Sequence, residues 1–578
     1  MTRIALPPQA QGRRLPNAWD VAALAIVFGS LVGVASVVRG TLAPLTAAEA
    51  TAIHLDPAYL PGYALRTTLR MFAALLVSLV FTFTVAPLAA KSRRAAAIII
   101  PLLDILQSVP ILGFLSFTVL FFLNLFPGQE MGAELAVIFV IFTSQAWNMA
   151  FSFYQSLTTE PLDLDEACRS FGLSPWQRFW RLDVPFAVPG LVWNTMLSMS
   201  GGWFFVVASE AVTVGRTTFT LPGIGSYVAM ALRRRDLLAI SYAVLAMLVV
   251  ILLYDQLLFR PLVAWSGKFR VETVQGSVEV EPWVLKLFRQ TFMLRKSVAW
   301  LGDRIALIGR LRLGRAERTF KSIARGSILS WVGDALFGVV VGGVAVYALD
   351  RIFVFCAAHL HWSDLFTCLV LAIFTLARVI AALAISCAIW VPVGVWVGLR
   401  PQATKLVQPI AQFLAAFPAN LLFPLVVAGI VAFNLAPNIW LTPLMVLGTQ
   451  WYILFNVVAG TAALPGDLKE VAVNFGLGGV LWWRRLIIPG ILPYFVTGAL
   501  TATGAAWNAS IVAEVASWGK TTLVAQGLGA YIANATSRGS ASNIVLGVAV
   551  MSVFVLSFNR LVWRPLYAYA SRRTNLGQ

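Results

Sequence analysis

The sequence predicts an all-α polytopic membrane protein built as two tandem six-helix bundles. Three observations lead to this fold class. The 578 residues are 59% hydrophobic and only 12% charged, whereas soluble domains carry about 25% charged residues. Apolar runs long enough to cross a bilayer recur along the chain, and the second half repeats the first. This composition excludes a soluble enzyme, a disulfide-rich secreted scaffold and a disordered protein.

Apolar runs account for about twelve predicted membrane-spanning helices, since a span needs about 20 mostly apolar residues. The runs lie near 20–39, 68–90, 96–126, 134–157, 186–210 and 237–260, and then near 327–349, 366–398, 406–433, 438–459, 490–514 and 542–563. We therefore predict a first domain over 1–265, a basic linker over 266–326 and a second domain over 327–578.

The internal repeat consists of identical residues at a fixed offset. Thr67 and Arg70 recur 308 positions later as Thr375 and Arg378. After a length difference of four residues the offset becomes 304, which relates Trp203 to Trp507 and Glu210 to Glu514. Because each half has an even number of spans, both halves enter the membrane from the same side. Such parallel repeats are related by a pseudo-two-fold axis along the membrane normal.

The basic residues predict the orientation. The chain holds 43 Lys and Arg against 25 Asp and Glu, a net charge of +18. A cytoplasmic N-terminus places the C-terminus and the segments 158–185, 266–326 and 461–489 inside, and the linker has 13 basic and 5 acidic residues, as the positive-inside rule expects. Arg233–Arg235 then falls outside, either as a local exception or as a basic lip that attracts an anion or an acidic partner. Nucleic-acid binding is not expected, because no basic stripe is interleaved with exposed aromatic residues.

The most informative segments are the two inside loops after the fourth span of each half, the first loop (158–185) and the second loop (461–489). The first contains Asp163, Glu166, Ala167, Gly172 and Pro185, and the second contains Asp467, Glu470, Ala472, Gly476 and Pro489. We expect each aspartate to N-cap a short helix with the glutamate of a capping box, and each glycine to end it in a left-handed cap. The prolines mark the return to the membrane, so each loop is a compact helix–turn–helix.

An ordered loop of this kind is either a well-capped connector or a docking element for a cytoplasmic partner. In a single copy, the connector would be the simpler interpretation. The duplication of the loop in both halves, on the same predicted side, favours docking. Two equivalent protruding loops suit a partner that is itself a two-fold dimer.

The loops resemble the EAA loop of permease subunits of binding-protein-dependent ABC importers. The resemblance rests on Glu166-Ala167, on Gly172 and on Pro185 13 residues later, and it covers both halves. The flanking residues Leu221-Pro-Gly-Ile-Gly-Ser-Tyr227 are similar to those of nitrate/sulfonate/taurine/bicarbonate-type permeases. The second loop departs from the pattern, with Val471 in place of alanine and Gly478-Gly479 in place of Ser-Pro.

The resemblance implies a translocation subunit rather than an enzyme. The two loops would sit in clefts of two cytoplasmic ATP-binding subunits, which hold the ATP and Mg, and this chain would bind no cofactor itself. An extracytoplasmic binding protein would deliver a small solute, such as nitrate, sulfonate, taurine or bicarbonate, for alternating access across a bacterial inner membrane. Gly519-Lys520-Thr521-Thr522 mimics the end of a Walker A motif, but Glu514 stands where the motif needs glycine, so no nucleotide site is expected.

Polar and tryptophan side chains within the spans are candidates for the translocation pathway. They are Asp104, Gln107, Trp203, Glu210, Gln412, Trp507, Asn508 and Glu514. Pro110 and Pro418 interrupt the third helix of each half, and matching interruptions point to a site near the membrane midplane. The alternative for the two glutamates is a structural carboxylate that is paired with arginine or capped by a helix N-terminus. No catalytic residue and no metal site are expected.

Two other functions are compatible with parts of the sequence. An ion-coupled secondary transporter can also have two parallel six-helix halves, but it does not need paired capped helices on the cytoplasmic side. Among importers, a fused permease of the iron(III) or thiamine type is the nearest alternative, because fusion is commoner there. The sequence does not identify the solute.

Overall fold

The computed structural model covers most of both predicted domains. It describes residues 53–269 and 360–574, apart from 109–110, 112–114, 128, 215–216, 465 and 519–520, together with scattered positions between 296 and 358. In these ranges, eight helices are long and apolar enough to cross a membrane, and one bent helix pair would make a ninth span. The predicted span over 20–39 and much of that over 327–349 lie outside the described residues. The polytopic helical fold class is confirmed.

The described part of the first half has its first long helix starting at Leu60. Its described helices are α1 (Leu60–Lys91), α2 (Arg93–Ser108), α3 (Leu115–Leu125), α4 (Glu130–Thr158), α5 (Leu162–Ser170), α6 (Pro175–Ser209), α7 (Ile224–Arg234) and α8 (Leu237–Phe269). An antiparallel hairpin, β1 (Ala211–Val214) and β2 (Thr217–Thr220), connects α6 to α7. Pro175 occupies the first turn of α6, where a missing backbone N–H leaves no hydrogen bond unmade.

The second half repeats this order element by element. Its described helices are α9 (Trp362–Gly398), α10 (Pro401–Ala416), α11 (Phe423–Ala432), α12 (Pro437–Ala462), α13 (Gly466–Asn474), α14 (Gly479–Ala513), α15 (Leu528–Arg538) and α16 (Ala541–Ala570). The hairpin is β3 (Val515–Trp518) with β4 (Thr521–Val524). In each half the long helix after the loop runs to the hairpin, so we name the two ends of the bundle the loop end and the hairpin end.

The third spans agree with the expected interruption, whereas the segments after α6 and α14 differ from the expected all-helical fold. The third span of each half is broken: α2 ends at Ser108, and α10 bends by 70° into the helical segment Ala419–Ala432. Pro418 stands at the second break, where proline removes a donor and disfavours helix at the residue before it; Pro110 lies outside the described residues. The chain is also not purely helical, because the Val- and Thr-containing segments after α6 and α14 form the hairpins.

The broken third helices join the two halves. The backbone N–H of Ile111 donates to Asn508 Oδ1 of α14 at 2.7 Å, and Asn420 Nδ2 donates to the Phe204 carbonyl of α6 at 3.1 Å. Ile111 packs into the apolar core of the second half, and Leu421 packs into that of the first. Phe204 and Asn508 are equivalent positions of the repeat, so the interface follows the pseudo-two-fold.

A buried ionic cluster ties the hairpin end of α6 to its neighbours. Glu210 accepts hydrogen bonds from Thr67 Oγ1 at 2.7 Å, Arg70 Nη1 at 2.6 Å and the Gly225 backbone N–H at 2.7 Å. Arg70 of α1 also donates to both carboxylate oxygens of Glu134 in α4, at 2.6 and 2.7 Å. These residues are buried, and the carboxylate pairs with arginine while it satisfies the N-terminus of α7. The cluster therefore joins α1, α4, α6 and α7.

The second half has the same cluster with one carboxylate fewer. Glu514 accepts hydrogen bonds from Thr375 Oγ1 and Arg378 Nη1, both at 2.8 Å, and from the Ala530 backbone N–H at 3.0 Å. The position equivalent to Glu134 is Asn438, whose backbone carbonyl accepts from Arg378 Nε at 3.2 Å. Arg70 thus pairs with two carboxylates, and Arg378 pairs with one.

Replacing Arg70 by leucine should destabilise the protein more than replacing Arg378 by leucine. Arg70→Leu leaves two carboxylates buried without a cation, whereas Arg378→Leu leaves one; loss of one partner from a buried pair costs about 3–5 kcal/mol. The thermal denaturation midpoint of the purified chain in detergent measures the difference. Glu134→Asn, which copies the composition of the second half, is the matched control and should lower the midpoint less than either. Equal midpoints for the two arginine variants would contradict the argument that Arg70 neutralises two buried carboxylates and Arg378 only one.

Candidate functional site

The two loop helices end as the sequence predicts. Gly172 follows α5 with φ of 65°, and Gly476 follows α13 with φ of 61°. The next residues close the turn, since Leu173 N–H donates to the Cys168 carbonyl at 3.1 Å and the equivalent bond of the second loop measures 2.9 Å. An L side chain is disfavoured at positive φ, so glycine is the residue that these turns need.

The predicted N-caps are wrong. The N-cap of α5 is Pro161, and Asp163 lies inside the first turn, so Glu166 has no capping-box partner. In the second loop α13 begins at Gly466, which places Asp467 in the first turn as well. Helix α5 starts earlier because Pro161 has a fixed φ and no N–H, and therefore ends the preceding segment without needing a side-chain cap. Aspartates in the first turn still interact favourably with the helix dipole.

The predicted second short helix is in fact the start of the spanning helix. Ser174 caps it with a capping box to Gln177, and Pro175 occupies its first turn. The chain then continues through a π-helical turn, Phe179–Asp183, into the rest of α6, and a π-helical turn occupies the equivalent place in α14. Pro185 and Pro489 therefore lie within continuous helices rather than at a return point. Each loop helix is joined by one glycine turn to a helix that runs to the hairpin end.

An ionic network holds the base of the first loop. Asp165 of α5 pairs with Arg169 at 2.9 Å and with Arg178 of α6 at 2.5 Å. Lys91, the last residue of α1, pairs with the buried Asp183 at 2.6 Å. Glu160 lies beside this network, and its Oε1 is buried without a hydrogen-bond partner in the described part of the chain. The first loop is thus anchored to α1 and α6 by charged side chains.

The pKa of Glu160 is raised to about 7. Partial burial is the largest cause, because it disfavours the carboxylate. The negative charges of Asp183 and Asp165 act in the same direction, while Arg178 and Lys91 oppose them. Glu160 therefore changes charge near neutral pH.

The second loop has an apolar base at the same positions. The repeat aligns Glu160 with Leu464, Asp183 with Ile487, and Arg178 with Trp482. All three of the second-half residues belong to or pack against one apolar cluster, which also contains Ala472 of α13. The two loops therefore have the same backbone geometry but are anchored by different interactions.

The outer surfaces of both loops are exposed and partly apolar. Phe171 is 82% exposed and its counterpart Phe475 is 78% exposed. Leu162 and Val473 are also exposed, as are Glu166, Ala167 and Glu470. Exposed aromatic side chains beside acidic residues, at two symmetry-related positions, form surfaces that a protein partner can cover.

The pathway candidates lie in several different environments. Glu210 and Glu514 sit in the arginine clusters, a geometry that supports the structural alternative. Trp203 and Trp507 are buried in the cores of their halves. Asn508 bridges the halves. Gln107 Nε2 donates to Asn148 Oδ1 at 2.9 Å and is exposed, and Gln412 is half-buried; the side chain of Asp104 lies outside the description. A pathway role for these residues stays a prediction.

Several residues of the site were not singled out as functional from the sequence. They are Glu134, Glu160, Asp165, Arg178 and Asp183. For all of them but Asp165, the signal was a mismatch at offset 304, where a charged residue of the first half aligns with an apolar or amide residue of the second. Asp165 aligns with Lys469, a change of charge sign. Within the described residues, no group of three or more His, Cys, Asp or Glu side chains could hold a metal ion.

One known protein family matches both halves of this chain. A sequence profile of the binding-protein-dependent transport system inner membrane component family matches twice, at 78–259 and 390–573. The chain is 29% identical over 190 residues to the bicarbonate transport system permease protein CmpB of Synechococcus elongatus, which is 33% of this chain and 65% of that protein.

Two further relatives show the range of named solutes. The nitrate import permease protein NrtB of Leptolyngbya laminosa is 25% identical over 32% of this chain and 64% of its own length. The glycine betaine/proline betaine transport system permease protein ProW of Escherichia coli is 27% identical over 34% of this chain and 51% of its own length. The chain therefore spans just under two thirds of the length of CmpB and of NrtB. With both halves matched by its profile, the chain belongs to the binding-protein-dependent transport system inner membrane component family as two tandem domains.

Proposed function

We propose that this chain is the permease of an ATP-driven importer and that its two loops dock on two ATP-binding subunits. The observation that carries the proposal is the pair of exposed helices α5 and α13, each ended by a left-handed glycine and located at the same end of the bundle. A duplicated, pseudo-symmetric surface suits a partner with two-fold symmetry. Family membership and the permease names of the relatives support the same class.

The loops would act as levers. Gly172 connects α5 directly to α6, which runs as one helix to Ser209, so a displacement of α5 moves the whole helix. ATP and Mg are supplied by the partner subunits, whose closure would push both levers. The halves would then rock about the interface made by the broken third helices and expose a solute site alternately to either side.

The proposed topology follows from charge. The loop end would face the cytoplasm of a bacterium, with both termini on that side, and the hairpin end would face an extracytoplasmic binding protein. Arg93 and Arg94 at the start of α2, and Arg484 with Arg485 in α14, lie at the loop end, in agreement with the positive-inside rule.

A small anion is the solute class that we propose. Arg233 and Arg234 are exposed at the end of α7, and Arg538 is exposed at the equivalent place in α15. The relatives named for bicarbonate and nitrate support an anion, whereas the relative named for glycine betaine does not. These three arginines form a basic rim at the hairpin end. The basic rim would raise the local concentration of an anionic solute or attract an acidic carrier.

Substituting valine for Gly172 or Gly476 should uncouple the levers. An L residue in the left-handed region costs about 1–2 kcal/mol, which lowers the population of the native turn about 5- to 30-fold. Co-purification with the ATP-binding subunits and ATP-dependent uptake in proteoliposomes should fall, with the chain still in the membrane. Gly478→Val is the matched control, because its φ is −130° and no atom lies within 4 Å of an added Cβ. Normal uptake in both valine variants, or full uptake on an ion gradient without ATPase, would refute the proposal.

Raising the pH should weaken the anchor of the first loop. The pKa of Glu160 in the folded protein lies above its ordinary value, so neutral Glu160 stabilises the fold at low pH and this contribution is lost as the pH rises through about 7. Limited proteolysis of the first loop should accelerate from about pH 6 to about pH 8. Glu160→Gln should remove this dependence, and the second loop, whose counterpart is Leu464, should not show it. If the Glu160→Gln variant kept the full pH dependence of proteolysis, that dependence would belong to another titratable group.

Neutralising the basic rim tests the solute class. Arg233→Gln combined with Arg234→Gln should raise the KM for uptake of the anion severalfold at low ionic strength and have little effect at high ionic strength, where charges are screened. Uptake rates with the binding protein and ATPase present measure the effect. Arg560→Gln, an exposed arginine towards the loop end of α16, is the control. A KM that does not depend on the rim at any salt concentration would remove the electrostatic argument for an anion.

A further inference from the structure

The linker between the two domains packs on the base of the first loop. The residues described between 300 and 310 are helical. Gly309 is buried against Trp180 of α6, where a Cβ would lie 3.2 Å from Trp180 Cβ, and Gln177 Nε2 donates to the Arg310 carbonyl at 3.1 Å. The linker helix is therefore held at the loop end of a helix that spans the membrane.

The opposite face of this linker helix is apolar and uncovered. Trp300 is 60% exposed and Leu307 is 58% exposed. At 100° per residue, these two residues and Arg304 share one face, and the buried Gly309 lies on the other side. Leu311, just after the last helical residue, is 50% exposed. The guanidinium of Arg304 stacks on the Trp300 ring at 5.2 Å, so charge and apolar surface occur together.

Charge and position indicate what covers this face. The 266–326 interval holds 13 basic against 5 acidic residues, and Lys296, Arg304 and Arg310 are exposed. A basic helix with an apolar face, held at the end of a spanning helix, has the properties of an interfacial membrane helix. Anionic headgroups attract such basic residues, while Trp and Leu side chains enter the boundary between headgroups and acyl chains.

We propose that the linker face formed by Trp300, Arg304, Leu307 and Leu311 binds the anionic lipid surface of the bilayer and thereby holds the first loop at the membrane. The repeat places the exposed Arg484 at the position of Trp180. The described part of the second loop therefore lacks the aromatic side chain on which Gly309 packs in the first loop. Only the first lever would then be attached to lipid. The inference rests on the chain being a membrane protein and not on its transport activity.

The test reads the environment of the linker in the full-length chain. Cys168, Cys356, Cys368 and Cys387 are replaced by serine, and an environment-sensitive fluorophore is attached at Leu307→Cys or, as a control, at Gly302→Cys, where nothing lies within 4 Å of an added Cβ. Nanodiscs of phosphatidylcholine, with or without phosphatidylglycerol, carry the chain. We expect a blue shift and quenching by spin-labelled lipid at position 307 only with phosphatidylglycerol, and no such change at position 302.

Removing the basic residues should weaken the binding of the linker face to anionic lipid. Replacing Arg304 or Arg310 by glutamine should lower the lipid-binding equilibrium constant about five-fold each, which corresponds to about 1 kcal/mol per charge; the Arg310 carbonyl that accepts from Gln177 is retained. A label at position 307 that stays in water with both lipid compositions would overturn the proposal. Protection that appears only after ATP-binding subunits are added would also overturn it, by assigning the face to a protein. No nucleotide or solute is present, so failure of the importer proposal would not affect the result.

Discussion

The buried carboxylate at the hairpin end of each half is the interaction on which the rest of the structure depends. Glu210 and Glu514 stand where a long helix stops. Each accepts hydrogen bonds from α1 or α9 of its own half and from the N-terminus of the helix after the hairpin. The other end of the same long helix carries the exposed loop. Since one end of the helix is fixed to its neighbours, a push at the loop cannot turn that helix alone. In the proposed cycle, each half would therefore move as a body.

The two halves keep this geometry while their charged residues differ. Asn438 replaces Glu134 beside the arginine, and apolar residues replace the ionic base of the loop. Such replacements are physically tolerated, because a buried ion pair and a well-packed apolar contact of similar size contribute similar stability. What the duplication preserves is the backbone, namely the left-handed glycines, the π-helical turns and the hairpins. The ionic base should make the first loop more sensitive to pH and salt than the second loop, whose described base is apolar.

The sequence predicted most of what apolar patterning controls and little of what single polar contacts control. The described spans, the repeat and the glycine turns follow from hydropathy, spacing and φ. The helix start at Pro161 was missed, because the capping pattern of Asp163 competes with the proline there. The hairpins were missed because each strand has only four residues, too few for a clear periodic pattern. The Gly-x-Gly after each hairpin was noticed only as a resemblance. Its physical reason lies in the fold, because a Cβ at Gly223 would overlap the carboxylate of Glu210.

The break in the third helix explains how two self-contained halves can also form one molecule. A continuous helix satisfies its own backbone, and it would leave no N–H at Ile111 for Asn508. The break frees that donor and lets the chain enter the opposite half, where Ile111 and Leu421 are buried in apolar cores that are not their own. In the proposed cycle the halves must stay attached while they rock. An interface of two such insertions meets this need, because its few polar contacts lie at pseudo-symmetric positions and are carried by segments that already bend.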